Sequence, residues 1–197
     1  MSDLSDSKAH EEVYGKTFAL YGYREMDEFI EPLRIRFARN GLDAETIFSG
    51  KKCLDAGCGN GRGALFMAMH GASSVTAIDT APSNIESTSR NADMFGFKDE
   101  ITTELCDLQS LKYPTQSFDF VWCNGVIMHT STPTRCLQEI VRVLKVGGQG
   151  WLYVYGAGGL YWYLIDEFRL WFSSYTVADC MAALTLANAN VSHIAEY

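Results

Sequence analysis

Three glycines at alternate positions, Gly57, Gly59 and Gly61, follow the short run Cys53-Leu54-Asp55-Ala56 and stand directly before helix-forming residues. A side chain at any of the three would keep a ligand from the backbone, and glycine also allows the positive φ that a tight turn needs. The amides that open the next helix are then expected to face the ligand with the positive end of the helix dipole. That is nucleotide-binding chemistry, and Asp55 at the head of the turn narrows it. A carboxylate there repels a pyrophosphate and suits a cation such as an α-ammonium. Further along, Asp79 can accept two hydrogen bonds from a ribose diol, with Thr80 beside it. Asp107 can accept from an adenine amino group while the backbone at Leu108 meets the ring edge, and Asn124-Gly125 closes a later apolar run. Each has a plainer role open to it: Asp79 as a helix cap, Asp107 as a turn former, Asn124 as a loop residue. Their recurrence at the tips of successive strands favours a shared ligand.

The elements that must hold these residues alternate along the chain. Residues 1–8 read as a disordered tail and 9–41 as an N-terminal helical lid, with one helix over 10–21 and a second over Arg24–Asn40. In the second, Met26, Phe29, Ile30, Leu33 and Phe37 recur at helical spacing, Gly41 stops the helix, and Pro32 predicts a kink or break. Residues 42–156 read as an α/β core. Strands are predicted at 52–56, 74–79, 101–106, 118–123 and 150–155, and helices at 61–70, from Pro82 to Phe95 and from Thr134 to Lys145. Alternation with short connections specifies a doubly wound, mostly parallel sheet with helices on both faces. Ligands in such sheets lie at the carboxyl ends of the strands. Residues 157–197 read as an aromatic helical segment, Gly158 to Phe172, and a second helix opening on the capping box Thr176-x-x-Asp179.

Composition excludes several classes. A net charge of -8 and a pI near 4.9 argue against nucleic-acid binding, which runs on clustered Lys and Arg. The N-terminus has no apolar signal-peptide core, and no apolar run reaches the ~18 residues of a membrane span. The six cysteines include no C-x-x-C pair and no zinc-ligand spacing, so they read as structural, with no metal site and a cytoplasmic location.

Leu54-Asp-Ala-Gly-Cys-Gly-Asn-Gly-Arg-Gly-Ala64 resembles the first motif of class I (Rossmann-like) S-adenosylmethionine-dependent methyltransferases. Ser117 to His129 resembles their strand-four motif, and Pro133 to Gly148 the helix and turn leading into strand five. The nearest likeness is to the broad small-molecule group that includes the ubiquinone and menaquinone methyltransferases. It implies S-adenosyl-L-methionine as cofactor, with Asp55, Gly57, Cys58, Gly59 and Gly61 along its methionine part. It also implies Asp79 and Thr80 at the ribose, Asp107 and Leu108 at the adenine, and Asn124 and Gly125 at the methionine end. The likeness covers about residues 50–156, and the last two strands of the usual seven are not found. The expectation is a chain cut short of them, with strand five near an exposed edge that invites a homodimer or a partner chain.

The expected reaction is in-line methyl transfer to a small-molecule acceptor, driven largely by positioning and water exclusion. His129, just beyond strand four, is the candidate general base, with packing beside the cofactor as its plainer role. Tyr14, Tyr21, Tyr155 and Trp162 are candidate walls of an acceptor pocket, although the apolar stripe after strand five also reads as ordinary core. Two other classes remain open. Gly59-x-Gly61-x-x-Ala64 with Asp79 about 20 residues on fits a dinucleotide fingerprint and hence an NAD(P)-dependent oxidoreductase. A non-catalytic cofactor-binding partner subunit is the third.

Overall fold

The computed structural model describes residues 22–156, together with residues 163, 166, 167, 170, 174–176 and 179. The helix expected over 10–21, and Tyr14, Tyr21 and Trp162, lie outside the described residues. The chain divides into two compact units, Met1–Val154 and Tyr155–Tyr197, and the sheet belongs to the first.

Five strands form that sheet: β1 (Lys52–Ala56), β2 (Ser74–Asp79), β3 (Ile101–Leu105), β4 (Phe118–Asn124) and β5 (Leu144–Tyr153). They lie in the order β3-β2-β1-β4-β5 and every pairing is parallel. The chain therefore winds outward from β1 one way, returns, and winds outward the other way. That reversal between β1 and β4 is where such sheets open a ligand crevice at their carboxyl ends.

Side-chain alternation along the strands feeds two cores. Cys53, Val75, Ala77, Phe120 and Trp122 face one core, covered by α1 (Tyr23–Arg39), α2 (Ala44–Phe48), α3 (Arg62–Met69) and α4 (Pro82–Met94). Leu54, Ala56, Ile78, Val121 and Cys123 face the other, covered by α5 (Pro133–Val143) and the β3–β4 connection. In α1 the predicted stripe Met26, Phe29, Ile30, Leu33 and Phe37 is buried as expected. The helix runs through Pro32 as one element, so a break does not occur there. The short α2, opened by Asp43 accepting from Glu45 N–H at 3.1 Å, was not anticipated from sequence.

β5 also departs from expectation: it starts at Leu144 rather than at 150. Gly147-Gly148 does not end a loop but sits inside a bulge, because Phe118 pairs with Leu144 while Phe120 pairs with Gln149. A Cβ on Gly148 would lie 2.9 Å from the Lys145 carbonyl and 3.0 Å from that of Asp119, so only glycine fits the bulge.

The connection from β3 to β4 contains no helix. It is held instead by the buried Glu139, which accepts from Leu111 N–H at 2.9 Å. Arg142 bonds Glu139 at 2.7 Å and donates to the carbonyls of Tyr113 and Leu111. In the second unit, Thr176 and Asp179 exchange the reciprocal bonds of the predicted capping box, at 3.0 and 3.2 Å. No helix among the described residues is long and apolar enough to cross a membrane.

Candidate cofactor-binding site

The parallel register brings the predicted residues of four strands to one end of the sheet. Ala56 pairs with Ile78, and Asp79 with Leu105, so the turn after β1 and the ends of β2 and β3 sit side by side. The turn is fixed from below: the N–H groups of Gly57 and Cys58 both donate to the Ile78 carbonyl at 2.9 Å. Asp79 fixes it from the side, with Oδ2 accepting from Gly59 N–H and Oδ1 from Ala81 N–H, each at 3.0 Å. Each oxygen retains a second acceptor site, which is what a ribose diol requires. Asp79 does not cap α4, whose N-cap position is Ala81 with no side-chain cap bond; its bond to Ala81 N–H closes the turn that leads into the helix.

At two of the three positions the expected positive φ is present, while the close approach is made by protein atoms. Gly57 and Gly61 have φ of 82° and 86°, and the space beside them is filled by protein. A Cβ on Gly57 would lie 2.5 Å from Val126 Cγ2, and one on Gly61 2.9 Å from Thr88 Cγ2. From α4, Thr88 Oγ1 donates to the Gly59 carbonyl at 3.0 Å and Asn91 Nδ2 to the Asn60 carbonyl at 2.8 Å. From α1, Met26 Sδ accepts from Asn60 Nδ2 at 3.3 Å. Sequence reading missed these supports. A signal existed: Asn84, Ser87, Thr88 and Asn91, all buried, recur at i, i+3, i+4 and i+7, so the inner stripe of α4 is polar.

Asp55 is 2 % exposed, and its Oδ2 has no hydrogen-bond partner. Its carboxylate accepts from Ala64 N–H in the first turn of α3. Burial holds the carboxyl up at about 7; the Ala64 bond opposes this, the negative Asp79 adds to it, and Arg62 offsets part. The start of α3 thus stands beside a protein carboxylate at Ala64. A pyrophosphate brought to this helix start would push the carboxyl further towards its protonated form and gain no partner there. A cationic group would instead supply the partner that Oδ2 lacks. Gly63 keeps this corner tight, since a Cβ there would lie 2.7 Å from Trp122 Nε1 and 2.9 Å from Asp55 Oδ2. Cys58 in the same turn is buried, and burial together with Asp79 and Asp55 pushes its thiol well above its ordinary range, so it is no nucleophile.

At the tip of β3, Asp107 Oδ1 accepts from Gln109 N–H at 2.8 Å. The Leu108 side chain is buried in the second core. At the tip of β4, Asn124 Oδ1 accepts from Trp151 Nε1 at 3.0 Å, and Gly125 N–H donates to the Tyr153 carbonyl at 2.9 Å. Trp151 stacks on Trp122 at 5.1 Å and 9°, so Asn124 is held from the aromatic core. His129 is exposed at the end of the 3-10 turn Ile127–His129. Thr80 follows Asp79 and is half-buried, whereas Tyr155 belongs to the second unit. Arg135 and Arg62 both engage protein groups: Arg135 pairs with Glu139 at 3.3 Å and Arg62 lies 3.9 Å over the Phe29 ring. Among the described residues no group of three or more His, Cys, Asp or Glu could hold a metal ion.

A parallel sheet of order 3-2-1-4-5, a glycine turn after β1 and carboxylates at the next two tips define the class I S-adenosylmethionine-dependent methyltransferase fold. Residues 54–152 match the methyltransferase domain family, and the chain belongs to it. It is 33% identical over 101 residues to a 27-O-demethylrifamycin SV methyltransferase of Amycolatopsis mediterranei, across 51% of this chain and 37% of that protein. To a ubiquinone biosynthesis O-methyltransferase of Coxiella burnetii it is 28% identical over 120 residues, covering 61% of this chain and 48% of the relative. The chain thus spans about half, or less, of the length of these curated relatives. A candidate S-adenosyl-L-methionine-dependent methyltransferase of Methanococcus maripaludis shares the fold, with TM-score 0.55 and 19% identity over 83% of this chain and 69% of that one. The resemblance seen in the motifs is thereby borne out, and the nicotinamide alternative gains no support.

Proposed function

We propose that this chain binds S-adenosyl-L-methionine at the carboxyl ends of β1 to β4 and directs its methyl group to a small-molecule acceptor. The observation that carries the reading is Asp55: a buried carboxylate with an unpartnered oxygen beside the glycine turn fits the α-ammonium of the cofactor. When bound, the cofactor supplies an electrophilic methyl on a sulfonium. Asp79 holds the ribose hydroxyls, Asp107 and the Leu108 backbone meet the adenine, and Gly57, Gly59 and Asn124 line the methionine portion. The small-molecule class follows the relatives, one a 27-O-demethylrifamycin SV methyltransferase and the other an O-methyltransferase of ubiquinone biosynthesis. His129, in the 3-10 turn that follows β4, is the group we assign to take a proton from a hydroxyl, amine or acidic carbon. A His129→Gln enzyme with unchanged turnover from pH 6 to pH 9 would remove it from that role.

Calorimetric titration with S-adenosylmethionine, S-adenosylhomocysteine, NADH and NADPH tests the cofactor. Micromolar binding of the first pair alone, weakened at least tenfold by Asp79→Ala, is the expected result. Binding of the nicotinamide pair, or of none, would overturn the reading. Binding without turnover across an acceptor screen would favour the partner-subunit alternative.

A further inference from the structure

Gln109 makes contacts in two directions. Its side-chain Nε2 reaches Asp107 Oδ1 at 3.4 Å and Oδ2 at 3.3 Å, beside the 2.8 Å bond from its own backbone N–H to Oδ1. Its Oε1 accepts from Ser131 Oγ at 2.9 Å and from the Thr132 hydroxyl. The amide cannot be turned over without loss. A carboxylate only accepts, so the nitrogen must face Asp107, and the oxygen is left for hydroxyls that can donate. The Gln109 carbonyl also accepts from Arg135 Nε at 3.2 Å. The loop after β3 is therefore fastened to the start of α5 through one residue.

The consequence falls on Asp107. A carboxylate turns easily about its terminal torsion, which has broad minima. Here Oδ1 takes the short backbone bond, while Oδ2 takes only the longer side-chain bond and keeps acceptor capacity. We propose that Gln109 is a positioning residue: anchored on Ser131 and Thr132, it sets the plane of the Asp107 carboxylate so that the site accepts a 6-amino purine and rejects a 6-oxo purine. This deepens the reading above and rests on Asp107 meeting the base. Adenine offers a donor at its exocyclic position, and hypoxanthine offers a carbonyl. A carboxylate held with acceptor capacity left on Oδ2 pairs with the first and leaves two acceptors opposed with the second, an arrangement that discriminates strongly. A carboxylate free to turn, or to take up a proton and donate, loses that discrimination.

The test is calorimetric titration of the full 197-residue chain with S-adenosylhomocysteine and with its deaminated counterpart, S-inosylhomocysteine. Wild type is expected to bind the adenine ligand at least tenfold more tightly, and Asp107→Asn to abolish that preference. Gln109→Met keeps the length and removes both amide contacts. Gln109→Glu keeps an oxygen for Ser131 and Thr132 but sets a second negative charge against Asp107. Each is expected to cut the preference at least fivefold while the far-ultraviolet circular dichroism of the folded chain is kept. Combining Ser131→Ala with Thr132→Val removes the anchor without touching Gln109 and is expected to act in the same direction. If Asp107→Asn abolishes the preference while all the other variants retain it, the role of Gln109 is overturned and the adenine contact stands. If Asp107→Asn retains it, or wild type binds neither ligand, the adenine contact itself is wrong and the proposal falls with it.

Discussion

Asp55 makes its own titration a reporter of the site. Unfolded, its carboxyl ionises near 3.8; folded, burial holds it up at about 7. Between those values the folded chain keeps a proton that the unfolded chain has released. Stability therefore falls as pH rises through that window and levels off above about 7. Asp55→Asn removes the dependence, so its thermal midpoint should exceed that of wild type by more at pH 8 than at pH 5, read by circular dichroism. An ammonium brought to Oδ2 would stabilise the ionised form, so binding of S-adenosylhomocysteine near pH 6.5 should release protons. Calorimetry in buffers of different ionisation enthalpy reads this directly; a buffer-independent enthalpy would mean that the carboxyl keeps its proton. Gly57→Ala belongs to the same scale. The left-handed backbone alone costs about 1–3 kcal/mol for a residue with a side chain, and the contact with Val126 adds to it. A drop in urea midpoint of at least that size is expected.

At the scale of elements, the helix-free connection from β3 to β4 depends on the Glu139–Arg142 pair. Glu139→Ala leaves Arg142 only the carbonyls of Tyr113 and Leu111 and leaves Leu111 N–H without its acceptor, and a buried donor so orphaned costs about 1–3 kcal/mol. Chemical denaturation should show that loss, and the 107–111 loop should be where protection from proteolysis falls first. The pair was open to view in the sequence as Glu139-x-x-Arg142, yet it reads there as an ordinary exposed i,i+3 ion pair. Only the path of the connection across α5 shows why it is buried. The same division holds elsewhere. β1 to β4 and the helices between them were legible because apolar runs and glycine stops mark them locally. β5 was misread at its start because Gly147-Gly148 looks like punctuation until a neighbouring strand supplies the carbonyls of the bulge. At the site, Asp79 and Asp107, proposed to meet the ligand, were legible because they stand at strand ends. Thr88, Asn91, Gln109 and Trp151 were not, because each acts on another residue rather than on a ligand, and such pairings arise only when distant segments meet.

For the whole molecule, the two halves of the sheet meet at the reversal between β1 and β4, where the cofactor site is proposed. Ligand binding at that junction stabilises only the folded chain, by about 2.7 kcal/mol at a hundredfold excess over Kd. For a chain of this size that corresponds to a rise in thermal midpoint of about 5–10 °C. Tryptophan fluorescence should follow it, since the stacked Trp122 and Trp151 report from beside Asn124. A midpoint that S-adenosylhomocysteine leaves unmoved would contradict binding there.

Loops built on alternating glycines are commonly thought of as supple, and this one is braced. The amides of Gly57, Cys58, Gly59 and Gly61 are all given to protein acceptors, and the carbonyls of Gly59 and Asn60 to side chains of α4. Its amide protons should therefore exchange with deuterium slowly before any ligand arrives, at rates nearer those of the sheet than of a surface loop. A cradle already set in its final shape has little ordering left to do when the cofactor enters. Its selectivity then resides in what it excludes rather than in how it closes.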